Sequence, residues 1–248
     1  MEANVSNYIT AENISIGYTK TPLCNNMHFH IGGGITAITG LNGVGKSTLL
    51  ATLCNIHKPI GGAIYLYGKN INQYPARDIA KKISIVFTGR AMINQGLTVR
   101  ELLQIARFPH MHVLRSLSKQ DHVSIDASIE MMHIGAIVNK KMYQLSDGEM
   151  QKALITKALV QQTDFIFLDE PTAHLDIQNS IATWQLIRRL STAGKHIIFT
   201  THDLHAAYKL AENILFIEKG GTYFFGSKIE TLQYEPFRQL FALASSNW

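Results

Sequence analysis

Residues 40 to 47 read Gly40-Leu41-Asn42-Gly43-Val44-Gly45-Lys46-Ser47, followed by Thr48. Glycines at the first, fourth and sixth positions let a backbone fold closely around an anion, so that its N–H groups converge on one point. Lys46 adds a mobile positive charge, and the Ser47 hydroxyl is a hard-oxygen ligand of the kind Mg²⁺ accepts. The run matches G-x-x-x-x-G-K-[ST] in full, and it lies between a predicted strand and a predicted helix, as the motif requires. A tight turn carrying an exposed lysine would need none of this context. The chemistry implied is the binding of nucleotide phosphates, with Lys46 reaching the β- and γ-phosphates.

A second constellation lies at the end of the apolar run Phe165-Ile166-Phe167-Leu168, which closes on Asp169-Glu170. Acids at the carboxyl end of a central strand face the crevice where α/β sheets bind ligands. Asp169 is placed to hold Mg²⁺ through water. Glu170, one residue on, is the candidate that polarises an attacking water. His202 stands at another strand end, after His196 to Thr200.

The elements that must position these groups follow from periodicity. Residues 5 to 31 alternate as antiparallel strands, Gly32-Gly33-Gly34 breaks them, and Ile35 to Thr39 is a short buried strand. Gly45 to Ile56 reads as a helix, and Ile64 to Tyr67 and Ile83 to Phe87 as strands. From about 98 to 143 the chain looks helical throughout. Thr98 and Glu101 have capping-box spacing, and Val99, Leu102, Leu103 and Ala106 share one face. Val123, Ala127, Met131 and Ile134 make a second face, with the Met131-Met132 pair as core filler. From Ser146 the order is helix, strand, helix (177 to 192), strand and helix (203 to 212), which implies right-handed crossovers and a parallel sheet. Leu215 to Glu218 and Thr222 to Phe225 form a terminal hairpin.

The 248 residues, 46% hydrophobic and 17% charged, can bury a large core, which excludes general disorder. No apolar run approaches the roughly 20 residues that cross a bilayer. The start, Met1 to Ala11, carries Glu2 and lacks a basic-then-apolar signal, so the chain is expected to remain in the cytoplasm. Cys24 and Cys54 have no paired spacing and suit a reduced compartment. The net charge of +5 is scattered, with no basic stripe of the kind nucleic-acid binders carry.

Leu145-Ser146-Asp147-Gly148-Glu149 makes the picture specific, because it resembles the signature loop of ABC ATPases, usually Leu-Ser-Gly-Gly-Gln. In the same family order, Asp169-Glu170-Pro171-Thr172 resembles the acidic motif, Ala173-His174-Leu175-Asp176 the D-loop, His202 the switch histidine and Tyr18 the adenine-stacking aromatic. The resemblance runs from about Tyr8 to Phe225. It implies an α/β fold: a P-loop NTPase core with a mixed, largely parallel sheet, an N-terminal antiparallel β layer and an inserted helical lobe. The single domain divides into a RecA-like core with β subdomain (1–97 and 144–248) and a helical subdomain (98–143). Ser146 and Glu149 also have capping-box spacing, so Ser146 caps its helix and turns to the γ-phosphate when the site is filled.

The resemblance further implies ATP and Mg²⁺ as ligands, a homodimer in which the signature loop and Asp176 of one copy complete the site of the other, and a γ-phosphate contact from His202. Where the family places a Gln that reaches Mg²⁺, this sequence has Thr88. Thr88 is two bonds shorter, so a bridging water is expected there. Arg107-Phe108-Pro109-His110, the Asp147-Gly148-Glu149 variant and the run from Thr172 to Asp176 are similar to segments in importers of iron chelates, haem and cobalamin. The partners implied are an integral membrane permease and a solute-binding protein, with the chain peripheral on the inner face of the cell membrane. The exposed faces around residues 89 to 115, with Arg107 and Arg115, are the expected permease contact. The alternative is a soluble ABC-type ATPase acting on nucleic acid or ribosomes, but the coiled-coil insertion, duplicated cassette or zinc cysteines of such proteins are not visible.

Overall fold

The structure is a computed structural model and describes residues 8–17, 21–87, 94–111 and 116–245. At its centre is β3 (Ile35–Gly40), buried at all six positions. A strand covered on both faces takes apolar or hydroxyl side chains throughout and needs a neighbour on each edge. Those neighbours are β8 (His196–Thr201) and β9 (Asn213–Ile217), both parallel to β3. The sheet extends through β7 (Phe165–Leu168) to β6 (Ile83–Val86) on one side and to β10 (Tyr223–Ser227) on the other, giving the order β10-β9-β3-β8-β7-β6. Only the β9–β10 hairpin is antiparallel. The expected parallel core and terminal hairpin are both present.

A second sheet, order β2-β1-β4-β5, is antiparallel. It comprises β1 (Ile9–Ile16), β2 (Cys24–Ile31), β4 (Gly61–Leu66) and β5 (Lys69–Asn70). Helix α1 (Lys46–Leu53) packs against both sheets. Its Leu49, Leu50 and Leu53 share a core with Ile9 and Ile14 of β1, Met27 and Phe29 of β2, and Ile38, Phe165, Phe167 and Ile198 of the central sheet. Because side chains alternate along a strand, Ile166 and Leu168 of β7 face the opposite core. The phosphate loop is thus fixed at both ends by buried elements. Helix α1 ends at Leu53, shorter than the expected run to Ile56, as Asn55 takes a left-handed φ of 60°. Among the described residues no helix is long and apolar enough to cross a membrane. Cys24 and Cys54 are free and buried.

The stretch expected to be helical contains α3 (Val99–Ile105) and α4 (Lys119–Met131), with short 3₁₀ turns between and after them, and leads into α5 (Asp147–Val160). Its two ends lie side by side: Thr98 bridges Lys141, and the Val99 N–H donates to the Lys140 carbonyl. The Thr98–Glu101 capping box is present, and Val99, Leu102, Leu103 and Ala106 are buried together. The second face is wrong by well over a third of a turn, about 140° at 100° per residue. Val123 and Met131 are more than half exposed and Ala127 is exposed, whereas α4 buries Asp121, Ser124, Ile125 and Ile129. Ile134 and Met132 are buried, so only one member of the methionine pair fills core.

The cause of that rotation is Arg107, which also corrects its expected place on a partner-facing surface. It is buried, 4% exposed. Its Nε donates to Asp121 Oδ1 at 2.7 Å, and its Nη1 to the Val160 carbonyl and Gln162 Oε1, both at 2.8 Å. A buried guanidinium needs such partners, so Asp121 is drawn inward and α4 turns with it. Burial alone would raise the Asp121 carboxyl, but hydrogen bonds from Ser118 and Arg107 outweigh it and hold the group at about 2. Arg115 lies outside the described residues.

Helices α6 (Ile177–Thr192) and α7 (Leu204–Leu210) cover the sheet as expected, but α8 (Lys228–Gln233) and α9 (Glu235–Ser245) were not anticipated. Phe237 of α9 is fully buried, edge-on to Phe216 at 5.4 Å. Phe241 lies against Tyr208 and His205. The apolar spacing Phe237, Leu240, Phe241, Ala244 is the helical signal that marks this segment.

Candidate nucleotide site

Strand β3 ends at Gly40 with φ 146°, where an added Cβ would sit 2.2 Å from the Ile217 carbonyl oxygen, so only glycine fits. The loop through Leu41, Asn42, Gly43 and Val44 reaches Gly45, left-handed at φ 107°, which turns the chain into α1. No side chain caps that helix. The first turn of α1 carries the positive end of the helix dipole, the arrangement that takes an anion. Lys46 Nζ folds back over the loop, donating to the Gly40 and Leu41 carbonyls at 3.1 Å, and stands 3.6 Å from Glu170 Oε1.

From Ser47 a chain of hydrogen bonds runs across three strand ends. Ser47 Oγ donates to Asp169 Oδ1 at 2.8 Å, and Thr200 Oγ1 donates to the same oxygen at 2.6 Å. Thr200 Oγ1 in turn accepts the Glu170 N–H at 2.8 Å. Glu170 Oε2 is 2.8 Å from His202 Nδ1. Glu170 has φ 45°, a left-handed conformation uncommon for a non-glycine residue, which the Thr200 bond helps to hold. Sequence reasoning missed Thr200; the available signal was a hydroxyl pair, Thr200-Thr201, ending the apolar run His196-Ile197-Ile198-Phe199.

The donors fit Mg²⁺. Ser47 Oγ and Asp169 present hard oxygens at one point, and this cation usually takes few protein ligands and fills its octahedron with water and phosphate. Among the described residues no group of three or more His, Cys, Asp or Glu could hold a metal alone. Thr88, expected beside the metal, and Tyr18, expected on the adenine, lie outside the described residues.

The remaining candidates form a second group. Ser146 caps α5 as a full capping box with Glu149: Ser146 Oγ accepts the Glu149 N–H, and the Ser146 N–H donates to Glu149 Oε2. Lys140 Nζ donates to Glu149 Oε1 at 2.9 Å. The Ser146 bond first, then Lys140, lower the Glu149 pKa. Asp176 caps α6, accepting from the Asn179 backbone at 2.7 Å and from Asn179 Nδ2 at 2.8 Å, which lowers its own pKa. Gly148 joins the two helix starts. A Cβ there would lie 2.6 Å from Asn179 Oδ1, so α5 and α6 meet at Gly148 against Asn179, with Asp147 beside it in the first turn. Asn179 carried no motif and was also missed.

Comparison with known proteins agrees with this geometry. The family model described as ABC transporter matches residues 24–173. The chain is 32% identical to the iron(3+)-hydroxamate import ATP-binding protein FhuC of Bacillus subtilis, over 96% of this chain and 88% of that one. It is 30% identical to the ferric enterobactin transport ATP-binding protein FepC of Escherichia coli, over 95% and 87%. A solved inward-facing ABC transporter of metal-chelate type superposes with TM-score 0.78 at 25% identity, over 92% of this chain and 86% of that one.

Proposed function

This chain belongs to the ABC transporter family as an ATP-binding, ATP-hydrolysing subunit, and from that premise we propose that it powers import of an iron chelate through a membrane permease, working as a dimer with two shared sites. The observation that carries the hydrolytic reading is the chain Ser47–Asp169–Thr200–Glu170–His202, which gathers a metal ligand, a general base and a histidine at adjoining strand ends. Lys46 and the loop amides hold the phosphates, and Tyr18 stacks on the adenine. Ser47 and Asp169 would hold Mg²⁺, with Thr88 as the proposed further contact through a bridging water; the chemistry Mg²⁺ would supply when bound is neutralisation of charge on the phosphate oxygens. Glu170 accepts a proton from the attacking water, and His202, tethered to Glu170, contacts the γ-phosphate. Ser146 to Glu149 and Asp176, locked together through Asn179, approach the phosphate loop of the second copy as one unit.

The cargo class rests on the relatives, named for iron(3+)-hydroxamate and ferric enterobactin, and haem or cobalamin remain in the same class. The permease holds the chain at the inner face of the membrane, and a solute-binding protein delivers cargo on the other side. With Arg107 buried, we place the permease contact at a cavity of about 350 Å³ between the end of α1, helix α2 (Ala76–Ala80), β6 and α5. It is lined by Ile56, which is half exposed, Ile79, Ile83 and Lys157. Burial pushes the Lys157 amine down, and among the described residues that amine has no partner, so a carboxylate from the permease would pair with it. The stretch 98–143 acts as the helical lobe beside this contact.

The test is Glu170→Gln. It is expected to bind ATP, to sediment as a dimer at saturating ATP and Mg²⁺, and to hydrolyse at background rate. A monomer under those conditions would refute the shared site. Tagged chain from its native cell should co-purify with a many-helix permease from detergent-solubilised membranes; recovery with ribosomes or DNA alone would refute the transport reading.

A further inference from the structure

Two apolar features adjoin the motifs without being accounted for by them. One is a cleft of about 810 Å³ beside the phosphate loop, lined by Leu41, Asn42, Leu204, His205, Leu240 and Ala244. The last two belong to α9, so the unanticipated C-terminal helix builds one wall, and Leu41, the second residue of the loop, is 49% exposed. The other is a ridge. Ile177 and Ile181 are four apart and so share a helical face, 78% and 52% exposed. Trp184 continues the stripe and packs on Phe199 at 5.1 Å, so the ridge extends a core stripe out into solvent. Within one chain both isoleucines stay exposed and neither fills the cleft.

The two features are placed for each other across a two-fold axis. The ridge begins at the residue after Asp176, and the cleft adjoins Gly40, Leu41 and Asn42. On the shared-site reading, Asp176 of one copy comes to the phosphate loop of the other, and Ile177 must travel with it. We infer that Ile177 and Ile181 of each copy seat in the cleft between the phosphate loop and α9 of its partner, which makes α9 part of the dimer interface. The inference rests on the shared-site dimer and adds to it an apolar contact that does not involve nucleotide. Each copy carries one ridge and one cleft, so the contact forms twice and closes. It removes the most exposed large hydrophobic side chains of α6 from water, which the hydrogen-bonded groups around the phosphates do not.

The experiment compares dimerisation in a Glu170→Gln background, by sedimentation at saturating ATP and Mg²⁺. Ile181→Glu alone and Leu240→Lys alone should each weaken the dimer about a hundredfold or more, because every lost contact counts twice. The two together should restore most of it through a new ion pair. Independently, Ile181→Cys with Leu240→Cys should give a covalent dimer on oxidation with ATP and not without it, since Cys24 and Cys54 are buried. If Glu170→Gln itself stays monomeric, the shared-site reading falls and this inference with it. If Glu170→Gln dimerises but Ile181→Glu and Leu240→Lys dimerise as well as it does, with no covalent dimer from the cysteine pair, the inference alone is overturned. Loss of permease stimulation by Leu240→Lys with an intact dimer would give the cleft to a permease segment and overturn it equally.

Discussion

Gly148→Ala is the most discriminating single change. Alanine in place of glycine ordinarily gains about 0.5–1 kcal/mol in a helix. Here the new Cβ would stand 2.6 Å from Asn179 Oδ1 and 2.7 Å from its Cγ, about 1 Å inside normal contact. The neighbour is short and pinned at both ends, its Nδ2 and backbone N–H bonded to the two oxygens of Asp176. Helices α5 and α6 must therefore separate or the Asp176 cap must break. Overpacking of a filled site costs about 1–3 kcal/mol, which exceeds the helix gain and leaves a net loss of about 1–2 kcal/mol. For a chain of this size that lowers Tm by about 2–8 °C. Scanning calorimetry of wild type, Gly148→Ala, Asn179→Ala and the double variant measures it. The double variant should be no worse than Asn179→Ala, because removing the amide removes the collision. A Gly148→Ala Tm equal to or above wild type would refute the reasoning, since it would mean that Asn179 swings aside freely and that the two helix starts are not locked.

Further outcomes follow from other contacts. Arg107→Ala leaves the Asp121 carboxylate buried without its cation, and thermal melts should show a loss of about 3–5 kcal/mol, whereas an exposed permease-contact arginine would show nearly none. The Asp121 carboxyl, held at about 2 against an ordinary 3.8, contributes stability that is complete above about pH 4 and lost as pH falls toward 2. Its worth is about 2 kcal/mol, and Asp121→Asn should remove that part of the acid transition in pH-dependent melts. Thr200→Val keeps shape but frees Asp169 Oδ1 and the Glu170 N–H of their shared partner. A Mg²⁺ titration of ATPase rate should shift by about 10–100-fold, and a shift under twofold would remove Thr200 from the site. Lys157→Glu should leave basal ATPase intact and abolish its stimulation by the permease; retained stimulation would move the docking cavity elsewhere.

The parts legible in the sequence are those whose physics is local. Gly40 to Ser47 declares itself because each residue type answers to a backbone angle, a charge or a ligand within eight positions. The capping boxes at Thr98 and Ser146 are likewise three-residue relations. Apolar strands ending in acid mark Asp169 and Glu170. What escaped depends on distant partners. Helix α4 was rotated because its buried face carries Asp121 and Ser124, polar residues that go inside only with Arg107 and Gln162 to meet them. Arg107 reads as a surface charge until its three acceptors, the farthest 55 positions away, are assembled around it. Thr200 and Asn179 act by bonding to motif residues and belong to no motif. Helices α8 and α9 follow the last recognisable run, yet Phe237 and its neighbours repeat at helical spacing. Tyr18 and Thr88 fall outside the described residues.

The strand order has a consequence for how the molecule is made. β1, β2 and β4 find one another within the first 70 residues, so the antiparallel layer can form while synthesis is still under way. β3 has no such neighbour. Both of its hydrogen-bonding edges are filled by strands about 160 and 180 residues downstream, β8 and β9. At 5–20 residues per second a ribosome takes roughly 9–35 s to supply both. For that interval an apolar strand and the loop after it stand without a sheet, and pairing over so long a separation is slow in its own right. The residues that grip phosphate leave the ribosome well before the strands that set them in place.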